Sequence, residues 1–182
     1  MKRFLKFLTI TTCFFILTIP LQAQATATAI KTQALQMARA ISKKDAAAVQ
    51  KFIYPGLLTT AKDKVNMMAM MDTVSKRMEQ FKPEVKRITI GNPGKIVTHK
   101  KVMQALVPQE MEIQTTLFTV VLNTTLVALS TDKGKQWYFA DGLLYQSKDA
   151  DIMKSLPVLS PELTIPPAQQ PKLIPVAAPK AN

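Results

Sequence analysis

The stretch FTVVLNTTLVALSTDKGKQWYFAD, Phe118 to Asp141, decides the fold. Its first part, Phe118 to Ser130, reads as one long strand. Thr131-Asp132-Lys133-Gly134 then makes a hairpin turn, with Gly134 supplying the positive φ that such a turn wants. Lys135 to Asp141 is the returning strand, where Trp137 and Phe139 alternate against Tyr138 and Ala140. Trp137 is the only tryptophan of the chain. A large aromatic at such a place supplies core area, and Asp141 beside Gly142 ends the strand in a turn. The expected role of the block is therefore structural packing rather than ligand stacking.

Upstream of this hairpin the hydrophobic period is two. EVKRITI reads as a strand with Ile88 and Ile90 on one face, and Asn92-Pro93-Gly94 is a turn signal. KIVTHKKVMQALV and EMEIQTTL are expected as two further strands. Before Pro83 the period is helical. Ile30, Ala34, Met37, Ala38 and Ile41 give an amphipathic helix from Ala29 to Ser42. Asp45 is placed to cap a second, short helix at Ala46-Ala47-Ala48-Val49, which Tyr54-Pro55-Gly56 stops. A third is expected from Thr60 to Gln80, with Met67, Met71, Val74, Met78 and Phe81 as its stripe. Helices first and an antiparallel meander after is an α+β order, with the helices packed on one face of a curved sheet.

Both ends stand apart. MKRFLKFLTITTCFFILTIPLQAQA has a basic start, an apolar run from Phe7 to Ile19 and a small-residue ending, the pattern of a signal peptide cleaved after Ala25. That predicts export and a periplasmic location. The single cysteine, Cys13, lies inside this segment, so the mature chain is expected to stand without disulfides. Of the 24 Lys and Arg, three leave with residues 1–25, leaving 21 basic against 12 acidic residues, a net charge of +9. Such a charge attracts anionic envelope polymers or lipid surfaces. Export and the missing recognition motifs argue against nucleic acid. From Pro157 onward the chain carries seven of its 12 prolines. LSPELTIP is expected to drape over the domain with Leu159, Leu163 and Ile165 pinned, and the chain beyond Ile165 to be disordered. The domain proper is thus 26–156, with 157–182 a Pro-rich tail.

KFIYPGLL after a helix, then ALVP, LVALSTDKGKQWYFADG and LPVLSPELTIP, resemble exported bacterial proteins of the nuclear-transport-factor-two-like superfamily. The resemblance covers Ala29 to Pro166 and is strongest from Ser130 to Asp141. It implies a cystatin-like cone, a strongly bent antiparallel sheet wrapped around helices, often enclosing a pocket. Ketosteroid isomerases and polyketide cyclases share this fold with members of no known chemistry, so the fold alone assigns no activity.

Two clusters invite chemistry. NMMAMMD sets Met67 one helical turn from Met70 and Met71, and Met68 one turn from Met71, so two of these soft thioethers could meet one Cu(I) ion. The same stripe is what a buried helix face requires, and core packing is the stronger reading. His99, beside Lys100 and Lys101, is expected to be exposed and idle, and Asn123-Thr124-Thr125 an ordinary polar patch of a strand. The resulting expectation is a non-catalytic exported domain, with no cofactor, that binds a small apolar molecule or an envelope protein. Its pocket wall would draw on Tyr54, Met71, Asp72, Tyr138, Asp141 and Tyr145. The sheet's threonine-rich outer face would serve a homodimer. The alternatives are a small acid–base enzyme, isomerase- or cyclase-like, built on Asp72 or Asp141, and a methionine-based Cu(I) binder.

Overall fold

The structure, a computed structural model, describes residues 18–58, 79–147 and 149–176. The helix expected over Thr60–Gln80, with Met67, Met68, Met70, Met71 and Asp72, lies almost wholly outside the described residues. So do most of the apolar leader and the last residues of the tail.

The quoted hairpin is the spine of the sheet. Strand β4 (Phe118–Ser130) pairs antiparallel along its whole length with β3 (Val102–Gln114), Met103 opposite Ser130 and Gln114 opposite Thr119. The far edge of β3 carries β1 (Glu84–Ile90) and β2 (Val97–His99). The other edge of β4 is shared by two short strands. β5 (Tyr138–Asp141) covers Leu126 to Leu129, and β6 (Lys172–Pro175) covers Phe118 to Val121. The six-stranded sheet is antiparallel and open, and the class is α+β.

β3 runs straight through Pro108, where the sequence suggested a break between two strands. Alternate residues of a strand aim their main-chain groups at opposite neighbours. Pro108 faces the β1 side, where its carbonyl accepts from Gly91 N at 2.8 Å. The ladder with β1 ends one step earlier, at Ile90 opposite Gln109, so the proline stands just past the paired strand, at its edge. The break lies instead at Lys100-Lys101, the two-residue turn between β2 and β3, closed by His99 opposite Val102. Nothing in a Lys-Lys pair signals a turn, and both residues take positive φ, 46° and 69°.

Helix α1 (Thr18–Ser42) buries Ile30, Ala34, Met37 and Ala38 against Ile90, Ala105, Val107, Leu126, Ala128, Trp137 and Phe139. Its described part already includes Thr18, well before the expected Ala29, and runs through the proposed cleavage site after Ala25. The helix ends in a paired cap: Lys44 N donates to Ile41 O at 2.9 Å and Asp45 N to Ala40 O at 3.0 Å. Lys44 there takes φ 56°, a place where glycine is free of the Cβ clash. Lys44→Gly is therefore expected to raise the unfolding free energy by roughly 0.5–1 kcal/mol, read from the denaturant midpoint. Asp45 caps α2 (Ala46–Gln50) by accepting from Ala48 N at 2.9 Å.

The opposite sheet face is not left free at its β5 end. Val127, Leu129 and Ala140 form a second core with Leu156, against which Tyr54, Leu106, Leu144, Tyr145, Leu159 and Ile165 pack. This layer comes from the C-terminal side: a 3₁₀ turn over Gly142–Gln146, α3 (Ala150–Ser155) and the extended chain to Ile165. The helices-on-one-face picture is corrected accordingly, since among the described residues both faces of the sheet are packed at the β5 end. The expectation of disorder past Ile165 is also corrected at Lys172–Pro175. β4 is far longer than β5, so its first residues present an unpaired edge, and the tail fills it. Pro175 suits the place, since it stands opposite Phe118, whose carbonyl turns away to accept from Thr115 N at 2.9 Å.

Candidate functional site

Between the ends of β5 and β6, four residues of β4, Leu122 to Thr125, have no neighbour on that edge. The main-chain direction of each follows from its flanks. Leu117 O accepts from Val176 N at 3.1 Å, so the odd-numbered residues of β4 face the β5–β6 edge. Asn123 and Thr125 therefore aim their main-chain groups into the gap. The Thr125 carbonyl is shielded by the close pass of Gly142, where a Cβ would sit 2.7 Å from that oxygen. This leaves the N–H and C=O of Asn123 and the N–H of Thr125 without a protein partner among the described residues.

The gap opens into a groove of about 800 Å³. Thr89, Gly91, Pro108, Glu110, Asn123 and Thr125 line it from the sheet, and Asp141 to Leu143 close one end. The chain from Ile165 to Pro171 passes along it as a strap, tying the second core to β6. Pro166, Pro167 and Pro171 stiffen this strap. Glu110 is engaged from the side: the Arg87 guanidinium donates to it at 3.1 Å and to Glu112 at 3.2 Å, an exposed network of small energetic weight.

The residues expected to share one pocket are dispersed. Asp141 lines the groove, but its carboxylate accepts from Leu143 N at 2.9 Å and caps the 3₁₀ turn. Tyr54 and Tyr138 meet edge to face, ring centroids 6.3 Å apart, on the second core. Tyr145 packs into the same core with its hydroxyl buried and, among the described residues, without a hydrogen-bond partner. Burial, and then the neighbouring Tyr54, push its pKa well above the ordinary phenol range, so it stays protonated at any physiological pH. Met71 and Asp72 fall outside the described residues, as do Met67, Met68 and Met70. His99 is half-buried at the β2–β3 turn. Among the described residues, no three of His, Cys, Asp and Glu come together as a metal site, and no helix is long and apolar enough to cross a membrane.

Sequence reasoning missed the groove because its reactive groups are main chain. The one available signal was a mismatch of lengths, a long strand at Phe118–Ser130 answered by the short Tyr138–Asp141. It also missed Gln104, a fully buried β3 residue whose carboxamide fixes the start of the C-terminal layer. Compared with known protein families, characterised proteins and solved structures, the chain matches none.

Proposed function

We propose that this chain is an exported, non-catalytic binding domain of the cell envelope, built on the cystatin-like cone of the nuclear-transport-factor-two-like superfamily. Its task is to hold an extended segment of a protein partner on the open edge of β4. The observation that carries this reading is the unpaired Asn123–Thr125 main chain lying between two strands already docked on the same edge. An extended peptide residue set opposite Asn123 exchanges two hydrogen bonds with it, and its next carbonyl reaches Thr125 N–H. The groove walls of Thr89, Leu143 and Pro166 then read the side chains on either side. The leader-like residues 1–25 support export to the periplasm. The groove also has apolar walls in Leu122, Leu143 and Ile165, and it is the open main-chain groups of Asn123 and Thr125 that favour a peptide over a small apolar molecule.

The test separates main chain from side chain. A photo-crosslinking residue at the exposed Leu143 captures the partner in exporting cells, and its captured peptide is then titrated against two variants. Asn123→Ala is expected to bind as the parent does. Asn123→Pro removes the edge-facing N–H while leaving the β3 ladder intact, and is expected to weaken binding at least about tenfold with a small change in Tm. Equal binding by both variants refutes edge pairing.

A further inference from the structure

The prolines of the strap fall in a pattern that the groove explains. β6 fixes a register on β4: Phe118 stands opposite Pro175, Thr119 opposite Ile174, Val120 opposite Leu173 and Val121 opposite Lys172. Continued residue by residue, the same register sets Pro171 opposite Leu122, Gln170 opposite Asn123, Gln169 opposite Thr124 and Ala168 opposite Thr125. Those are the positions that β5 and β6 leave open on β4. The odd-numbered residues of β4 face this edge, so the even-numbered residues of the strap and β6 turn their main-chain groups toward it. Ala168, Gln170, Lys172 and Ile174 all keep an N–H there. Pro167, Pro171 and Pro175 all take the alternate positions, whose main-chain groups turn away from β4. The exception, Pro166, lies before the gap begins, and its carbonyl accepts from Gln146 Nε2 at 3.2 Å.

The chain thus keeps its donors where an inward-facing strand needs them and loses them only on the outward side. Prolines on that outer side also blunt the edge against any further strand. Yet the strap stands off the gap. Pro167 to Pro171 are all exposed, and none of them makes a hydrogen bond to another described residue. Its length suits the distance it would close. Ala168 to Pro171 match the open residues Leu122 to Thr125 one for one. Pro166 and Pro167 are then left to step off beside Asp141, which already holds Leu126.

We propose that the strap is a built-in competitor for the β4 edge: Ala168 to Pro171 dock in the register of β6 and close the site that a partner's segment must open. Gln170 then exchanges two hydrogen bonds with Asn123, and Ala168 O accepts from Thr125 N–H. These are the three main-chain groups assigned above to a bound peptide, so the two occupants exclude each other. The Thr125 carbonyl, shielded by Gly142, takes part with neither. Three hydrogen bonds stand against the ordering of a short stretch that its prolines already stiffen, a near balance that a partner can tip. The gating role rests on the edge-pairing reading of the site, whereas the docking register rests on β6 alone.

The experiment is disulfide trapping in the full chain on a Cys13→Ser background. Thr124→Cys with Gln169→Cys sets the two cysteines at a pair that lacks hydrogen bonds, with Cα atoms about 4.5 Å apart once the strap docks. Thr124→Cys with Gln170→Cys is the control, because one residue's step turns the second side chain to the opposite face. In a glutathione redox buffer the first pair is expected to close at least about tenfold faster than the second. The oxidised first pair is then expected to bind the peptide captured through Leu143 at least about tenfold more weakly than its reduced form. Equal closure rates in the two pairs overturn the docked strap and leave the partner's edge pairing standing. Selective closure with unchanged peptide binding overturns the gating, and the edge-pairing reading falls with it.

Discussion

Trp137→Ala is expected to remove about 4–5 kcal/mol of unfolding free energy, enough to leave the domain barely folded. Trp137 is fully buried and lies in the core between α1 and the sheet. Its indole fills the space under the β4–β5 turn, and its Nε1–H donates to Gly134 O at 3.0 Å. Its main-chain N–H donates to Gln33 Oε1 at 2.8 Å, so helix, strand and turn meet on this one residue. Alanine empties the cavity and orphans the Gly134 carbonyl together. Trp137→Phe keeps most of the volume and loses the donor, for a loss of about 1–3 kcal/mol. Both follow from far-UV circular dichroism in denaturant, since the variants lack the indole fluorophore. A loss under about 1.5 kcal/mol for the alanine variant would falsify the packing of α1 on this strand.

That residue was legible because its signal is local. The period-two alternation of KQWYFAD, the turn at Thr131–Gly134 and the apolar steps of Ile30, Ala34, Met37 and Ala38 each specify a shape within a few residues. The α+β class follows from them. What was not legible depends on partners far apart in sequence. The Lys100-Lys101 turn breaks local preference and is held by the β2–β3 pairing around it. β6 reads as a disordered proline-rich tail, and becomes a strand only because β5 is too short to cover β4. The groove belongs to the same class, since an unpaired main-chain edge is a property of which strands stop where. Tyr54 and Tyr145 pack against the second core and Tyr54 meets Tyr138 edge to face, a packing arrangement that aromatic composition alone does not distinguish from a pocket wall. Asp141 was read into the same pocket from its place in the strand, but its capping bond to Leu143 N sets it on the groove instead.

Gln104→Leu is expected to lose about 2–5 kcal/mol, and to lose it where the groove is held. Gln104 is fully buried, its Nε2 donating to Val158 O at 2.9 Å while Ser160 N donates to its Oε1 at 2.8 Å. The carboxamide reads the passing chain as another strand would. Leucine matches the volume but abandons a carbonyl and an amide in a dry place, at about 1–3 kcal/mol each. The loss is not spread evenly. Val158 and Ser160 lie upstream of the strap, whose other end is held by the four residues of β6, with exposed side chains. Hydrogen exchange should therefore quicken first across residues 157–175, while β3 and β4 keep their protection. A uniform change across the sheet would mean that Gln104 supports the core and not the strap. Gln104→Glu sharpens the argument. An ionised carboxylate accepts from Ser160 N but faces Val158 O with no proton to offer, so the variant falls below Gln104→Leu at neutral pH. Burial raises this carboxyl's pKa above its unfolded value, and the protonated acid regains one donor and one acceptor. The folded state then binds the proton more tightly than the unfolded one, and the variant's stability should climb as pH falls through the raised pKa. The leucine variant lacks that proton and should show no such recovery.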